Sequence, residues 1–179
     1  LATQPGVEVV YYAFQNYPGQ AIEDRFIDPR IKIYDAVDID PESPKGFGDK
    51  GIAPCVEQEN PDVIFLYNDL MVTTAILDLV PDVPAWVYLD IVYLWERPTV
   101  MCKFRDNKRV KKLWVFLECW RDHLVNDYGF DENVVRVMRH GVDVERFRDV
   151  EQVAAKRLCG FAADDFVVLN MNRNSYRKR

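Results

Sequence analysis

Four cations, Arg173, Arg177, Lys178 and Arg179, follow directly on the apolar run Phe166 to Met171. A guanidinium hydrogen-bonds two phosphate oxygens through its planar fork, and an ammonium supplies a compact charge. Placed just past a buried strand, at the carboxyl edge where open α/β sheets hold ligands, such a loop would neutralise an anion, with phosphate the first candidate. Charge alone is equally compatible with a solvated basic loop; the position of Arg173 and Lys178 after the strand favours the anion. Asp90 closes the run Trp86-Val87-Tyr88-Leu89, where a carboxylate can act as a base, bind a sugar hydroxyl or cap the next segment. Asn68 and Asp69 end Val63 to Tyr67 in the same way, and there capping is favoured. His140 lies in the turn Arg139-His140-Gly141-Val142-Asp143, as a ligand donor or as a structural residue. Gly141 is expected to adopt positive φ or to admit another chain closely.

These residues need a sheet to position them. Apolar, β-rich runs recur at Val7 to Phe14, Ile31 to Tyr34, Val63 to Tyr67, Trp86 to Leu89, Leu113 to Leu117, Val134 to Met138 and Phe166 to Met171. They read as continuous buried strands without hairpin signals between them, which predicts an α/β architecture with a parallel sheet covered by helices on both faces. Trp120, Leu124 and Tyr128 share one helical face, and Gly129 stops that helix. Val72, Ile76, Leu79 and Val80 mark a helix ended by Pro81. Asp149 as N-cap, with Gln152 as its capping-box partner, opens a third helix that ends before Gly160 and packs Val150, Val153 and Leu158. The segment Ile39 to Pro61, rich in Pro and Gly, reads as a long surface excursion. The sheet pattern closes at Val134 to Met138 and restarts at Phe166, placing a domain boundary near Phe147.

The 179 residues, 49% hydrophobic and 29% charged, suffice for one full core and fit an ordinary soluble globular protein. A formal net charge of −6 gives no basis for nucleic-acid binding through overall charge. Cys55, Cys102, Cys119 and Cys159 are widely spaced with no His cluster nearby, so no metal site or disulfide framework is expected and a reducing cytosol fits best. No apolar run approaches the ~18 residues that span a bilayer. The basic stretch Lys103, Arg105, Lys108, Arg109, Lys111 and Lys112 reads as a solvated face or, less favourably, as a contact for anionic lipid head groups. There is no G-x-G-x-x-G, Walker A loop, G-x-S-x-G elbow or H-E-x-x-H motif. Leu1 to Gly6 lack an initiator Met and the regions of a signal peptide, and a lone strand at Phe166 lacks neighbours, so the chain is expected to be a fragment.

Several stretches together resemble the family-four glycosyltransferases of the GT-B fold, with the nearest likeness among virus-encoded members. Glu118-Cys119-Trp120-Arg121-Asp122-His123-Leu124 is similar to the family's "ewxxdhl" helix. Tyr128-Gly129-Phe130 follows, and His140-Gly141-Val142-Asp143 through Phe147 matches its His-Gly-Val-Asp-x-x-x-Phe signature. Asn172-Arg173-Asn174 through Lys178 resembles the loop after the first strand of its C-terminal domain. The usable likeness runs from about Asn60 to Arg179. Two departures stand out: the family's strand-end His-Asp reads Leu89-Asp90, and the Ser before the "ewxxdhl" helix is Leu117. The glycine-rich loop and the E-x7-E motif are not in this sequence.

The resemblance implies a Rossmann-like acceptor-side domain over residues 1–147, lacking its first strand and glycine-rich loop, and the start of a nucleotide-sugar-binding domain over 148–179. It implies transfer of a hexose from a UDP- or GDP-sugar to a glycan, protein or lipid acceptor, with retention of configuration and without a metal or other cofactor. Arg173 and Lys178, with Asn174 beside them, would hold the donor diphosphate, and Asp90 and His140 would border the acceptor side as catalytic residues. The implied location is cytoplasmic, with possible peripheral membrane contact. A GT-B-like sugar- or protein-binding module without catalysis is the rival, mildly favoured by Leu89 at the position of the family's His. A sugar epimerase of the same fold is a second.

Overall fold

The computed structural model describes residues 2–14, 27–42, 48–90, 98–145 and 147–169. These separate into two compact units, Leu1–His140 and Gly141–Arg179. In the first, strands β1 (Val9–Ala13) and β2 (Ile31–Asp35) form a parallel pair. Helices α1 (Ala36–Ile39) and α2 (Asp49–Glu59) follow. Then β3 (Ile64–Asn68), α3 (Leu70–Leu79), β4 (Ala85–Leu89), α4 (Pro98–Arg105), β5 (Val110–Val115), α5 (Glu118–Tyr128) and β6 (Val135–Val137) alternate along the chain. The four later strands form a second parallel sheet in the order β3-β4-β5-β6. The first unit is therefore a Rossmann-like α/β assembly of parallel strands joined by helical crossovers.

Sequence signals account for the helix ends. The Asp69 carboxylate accepts from the Val72 amide at 2.9 Å and starts α3, as the strand-end reading expected. Gly129 ends α5 at φ +69°, with its amide bonded to the Val125 carbonyl. Leu124 is fully buried, with Trp120 and Tyr128 packed beside it, so the predicted face of α5 is the observed one. In α3 the buried positions are Leu70, Thr73, Thr74, Ile76 and Leu77, while Leu79, assigned to the inner stripe from sequence, is exposed.

The core lies on one face of the four-stranded sheet. Val87, Leu89, Leu113, Val115 and Val135 meet Ile52 and Val56 of α2, Leu70 and Leu77 of α3, Met101 and Phe104 of α4, and Leu124 of α5. Removing each such side chain from water contributes about 1.5–3 kcal/mol. The other face carries aromatic rings, with Phe65 53% and Trp86 42% exposed. Among the described residues, the helical cover expected on both faces is thus present over the aliphatic face and absent over these rings. The strands also alternate where sequence reading saw continuous runs. Phe65-Leu66-Tyr67, Trp86-Val87-Tyr88 and Trp114-Val115-Phe116 each place an aliphatic residue between two rings, and aromatic side chains count as apolar in a hydrophobicity run.

The expected excursion from Ile39 to Pro61 contains α2. Ile52, Cys55 and Val56 form an inward stripe at helical spacing, and Pro54 faces solvent, where the carbonyl deprived of its amide partner can be hydrated. Counting Pro and Gly hid that stripe. Gly48, at φ +69°, sits so close to Phe14 and Tyr12 that a Cβ there would lie 2.7 Å from the Phe14 Cβ. Helix α2 is tied to the β1–β2 pair by Tyr12, whose hydroxyl donates to the Gly48 carbonyl at 2.7 Å, and by Lys32 and Tyr34, which both bond the Glu59 carboxylate.

In the second unit, α6 (Gln152–Leu158) is capped by Glu151, whose carboxylate accepts from the Val153 and Ala154 amides, and not by Asp149 with Gln152. Both carboxylates precede the same amides; Glu151, one residue before the helix, is the one that reaches them. Gly160 follows at φ +82°. Val150 and Leu158 are exposed instead of packed. Phe166 to Leu169, the described part of the expected last strand, is not a strand, and Phe166 is 93% exposed. No strand among the described residues pairs with it, and a strand without a ladder partner leaves its amides and carbonyls unsatisfied.

Candidate functional site

In a parallel α/β sheet the carboxyl ends of the strands all open on one edge, and loops there can place side chains from several strands around one ligand. Here that edge carries a ladder of four rings, one from each strand end. Tyr67 of β3 stacks on its register partner Tyr88 of β4 at 5.1 Å and 17°. Tyr88 meets His140, beyond β6, at 5.5 Å and 31°, and His140 lies nearly flat on Phe116, just past β5, at 5.4 Å and 10°. The Tyr88 hydroxyl donates to the Met138 carbonyl at 2.9 Å, which joins the end of β4 to the end of β6.

This packing buries Tyr88 to 2% exposure although its face of the sheet is otherwise open. Burial pushes its phenol above the usual range, and the neighbouring Tyr67 and Asp90 push the same way. Asp90, half-buried one residue beyond β4, and the exposed His140, whose ring meets Tyr88, thus lie at the same strand-end edge. Stacking fixes the plane of the His140 ring, and its two nitrogens bond within that plane, so the edge of the imidazole is left to present a donor or an acceptor. A carboxylate and an oriented imidazole at a strand-end edge can bind hydroxyl groups and move a proton.

Of the residues singled out in the sequence, Asp90 and His140 are brought to the same edge. Arg173, Asn174, Arg177, Lys178 and Arg179 lie outside the described residues. Gly141 lacks the expected positive φ and the close approach: it is absent from the positive-φ glycines, and a Cβ would meet nothing within 4 Å. The turn is held instead by Asp143, whose carboxylate accepts from the Glu145 amide at 3.1 Å. Tyr67, Tyr88 and Phe116 were missed as site residues; the ring-x-ring repeat in three successive strands is the signal that carries them.

The basic stretch does not act as one surface. Arg109 turns inward and donates to the carbonyls of Leu77, Val80 and Pro81 at the end of α3. Lys103 pairs with Asp78, and Arg105 pairs with Asp106 and bonds the Tyr128 carbonyl. A recess of about 280 Å³ lined by Asp82, Pro84, Lys108, Arg109 and Lys111 sits by the first residues of β4 and β5, at the edge opposite the ring ladder. Ligands of such sheets bind at the carboxyl edge, so the recess is not the favoured site.

Among the described residues no group of His, Cys, Asp and Glu is arranged to hold a metal ion, and no helix is long and apolar enough to cross a membrane. The four cysteines are free thiols; burial raises the Cys55 thiol above its ordinary value. The fold and this edge define a Rossmann-like α/β protein with a candidate ligand site at its strand ends. No family model matches the chain, and no curated protein matches it.

Proposed function

We propose that the chain belongs to a retaining glycosyltransferase of the GT-B fold, family four, that moves a hexose from a nucleotide diphosphate sugar to an acceptor hydroxyl. The observation that supports the reading is the His140 ring, held against Tyr88 and Phe116 at the carboxyl edge where Asp90 follows β4. His140 belongs to the His-Gly-Val-Asp signature on which the resemblance rests, and a ring held by stacking can orient a sugar hydroxyl with its in-plane nitrogen. Asp90 would accept a hydrogen bond from the sugar or take its proton. Arg173 and Lys178 would stabilise the departing diphosphate, with Asn174 beside them.

The reading is tested by titration calorimetry of UDP and GDP against the longest natural polypeptide carrying this sequence and its Lys178→Ala variant. A charge-assisted hydrogen bond is worth roughly 1.5–3 kcal/mol, so the variant should bind its nucleotide about ten- to a hundredfold more weakly. Unchanged affinity removes Lys178 from the donor site. Absence of binding by either nucleotide favours the rival, a non-catalytic GT-B-like module for sugar or protein. Leu89 speaks for that rival: it stands where the family has His and is fully buried among aliphatic side chains, so it cannot touch a ligand.

A further inference from the structure

Tyr88 and His140 lie at the ends of strands that are not neighbours, because β5 runs between β4 and β6. Register sets Tyr88 opposite Trp114 and Trp114 opposite Arg136, yet the Tyr88 hydroxyl donates to Met138, two residues further along, at 2.9 Å. The side chain thus crosses β5 towards the carboxyl edge and ends on the backbone two residues before His140. Met138 is fixed from two sides, since its amide donates to the Val115 carbonyl at 2.8 Å while its carbonyl accepts from Tyr88. Packing alone does not call for that hydroxyl. A phenylalanine would fill the same 2%-exposed space beside Tyr67 and His140 without a polar group to satisfy. Phe116, the other ring on His140, has no polar group, so its flat contact at 10° opposes tilting of the imidazole and leaves sliding along the ring free.

We propose that Tyr88 is the positioning residue of His140: its ring sets the tilt of the imidazole, and its hydroxyl, as a strut on Met138, sets where along the Phe116 ring the imidazole rests. The strut acts before any ligand arrives, so an in-plane nitrogen of His140 stands ready at the edge where Asp90 follows β4. The role of that nitrogen rests on the transferase reading, which supplies a substrate hydroxyl for it to orient; its placement by Tyr88 stands apart from that reading.

The test uses the longest natural polypeptide carrying this sequence, with isotope-labelled histidine, so that each imidazole Cε1–H gives its own magnetic-resonance signal. His140→Gln and His123→Gln identify the two signals, and His123, on α5, is the internal reference. A Cε1–H stacked on Phe116 is shifted upfield by the ring. Tyr88→Phe keeps the buried ring and removes the strut; it should move the His140 signal towards that of free imidazole and leave His123 in place. Turnover is read as nucleotide released from UDP-glucose or GDP-mannose. There Tyr88→Phe should lower kcat about two- to tenfold, the worth of one hydrogen bond, at unchanged KM, and should add nothing in the His140→Gln background. A His140 signal that stays in place, or that moves only together with His123, overturns the proposal, and so does a loss of turnover that is the same with and without His140→Gln. If neither donor releases nucleotide, or His140→Gln leaves release unchanged, the transferase reading fails at this residue, and the His140 signal alone decides whether Tyr88 places it.

Discussion

Replacing Arg109 with methionine separates a structural cation from a lipid-facing one. Its guanidinium donates to Val80 at 3.2 Å and also bonds Leu77, carbonyls at the end of α3, and it shares the Pro81 carbonyl, at 2.9 Å, with the Val83 amide. Methionine keeps most of the buried aliphatic stem and removes the donors. Hydrogen bonds to a charged group contribute about 1.5–3 kcal/mol, and a cation at a helix C-terminus adds about 0.3–1 kcal/mol. The bonds share one group and do not add fully, so the expected loss is roughly 2–3 kcal/mol. At about 2–4 °C per kcal/mol for a chain of this size, the melting temperature should fall by roughly 4–12 °C. Urea unfolding followed by far-UV circular dichroism measures the loss directly, and the slope should be unchanged. Arg109→Lys should recover only part of it, since an ammonium cannot span the fork. A loss below about 0.5 kcal/mol for the methionine variant would refute the capping role. Loss of binding to anionic vesicles at unchanged stability would restore Arg109 to a membrane surface.

Gly129→Ala isolates backbone strain. A Cβ there meets nothing nearer than 3.9 Å, but φ is +69°, so the variant should lose about 1 kcal/mol in chemical denaturation. Gly51→Ala tests close packing: the new methyl would lie 2.5 Å from the Tyr12 hydroxyl and 2.8 Å from Ile39, and overpacking of about 1–3 kcal/mol should outweigh a helix-propensity gain of about 1 kcal/mol. A more stable variant would show that Tyr12 moves aside freely. Burial and then the nearby Cys55, Asp49 and Asp35 push the Tyr12 phenol from 10.0 up to about 12. The folded state therefore holds that proton where the unfolded chain has lost it, so stability should fall as pH rises from 10 through 12. Tyr12→Phe should flatten that limb of the denaturation profile.

The sequence by itself determined the alternation of strands and helices, because each element buries a stripe at its own period and its ends carry local chemistry. Asp69 and Gly129 act through the backbone within four residues, so their roles are legible without knowing the fold. Asp90 and His140 were legible as strand-end residues for the same reason. Only the tertiary structure decided that His140 reaches across to Tyr88, at the edge where Asp90 lies, since β4 and β6 are not neighbours and β5 lies between them. It also decided which charges are structural: Arg109 is one of six cations in a basic run, and its distinction comes from helix carbonyls about thirty residues away. Glu151 displaced Asp149 as a cap because the choice depends on where the first helical turn starts. The aromatic face was written in the ring-x-ring repeats, but a ring reads as buried in any hydrophobicity pattern, and whether a layer covers it is settled by packing that no single strand encodes.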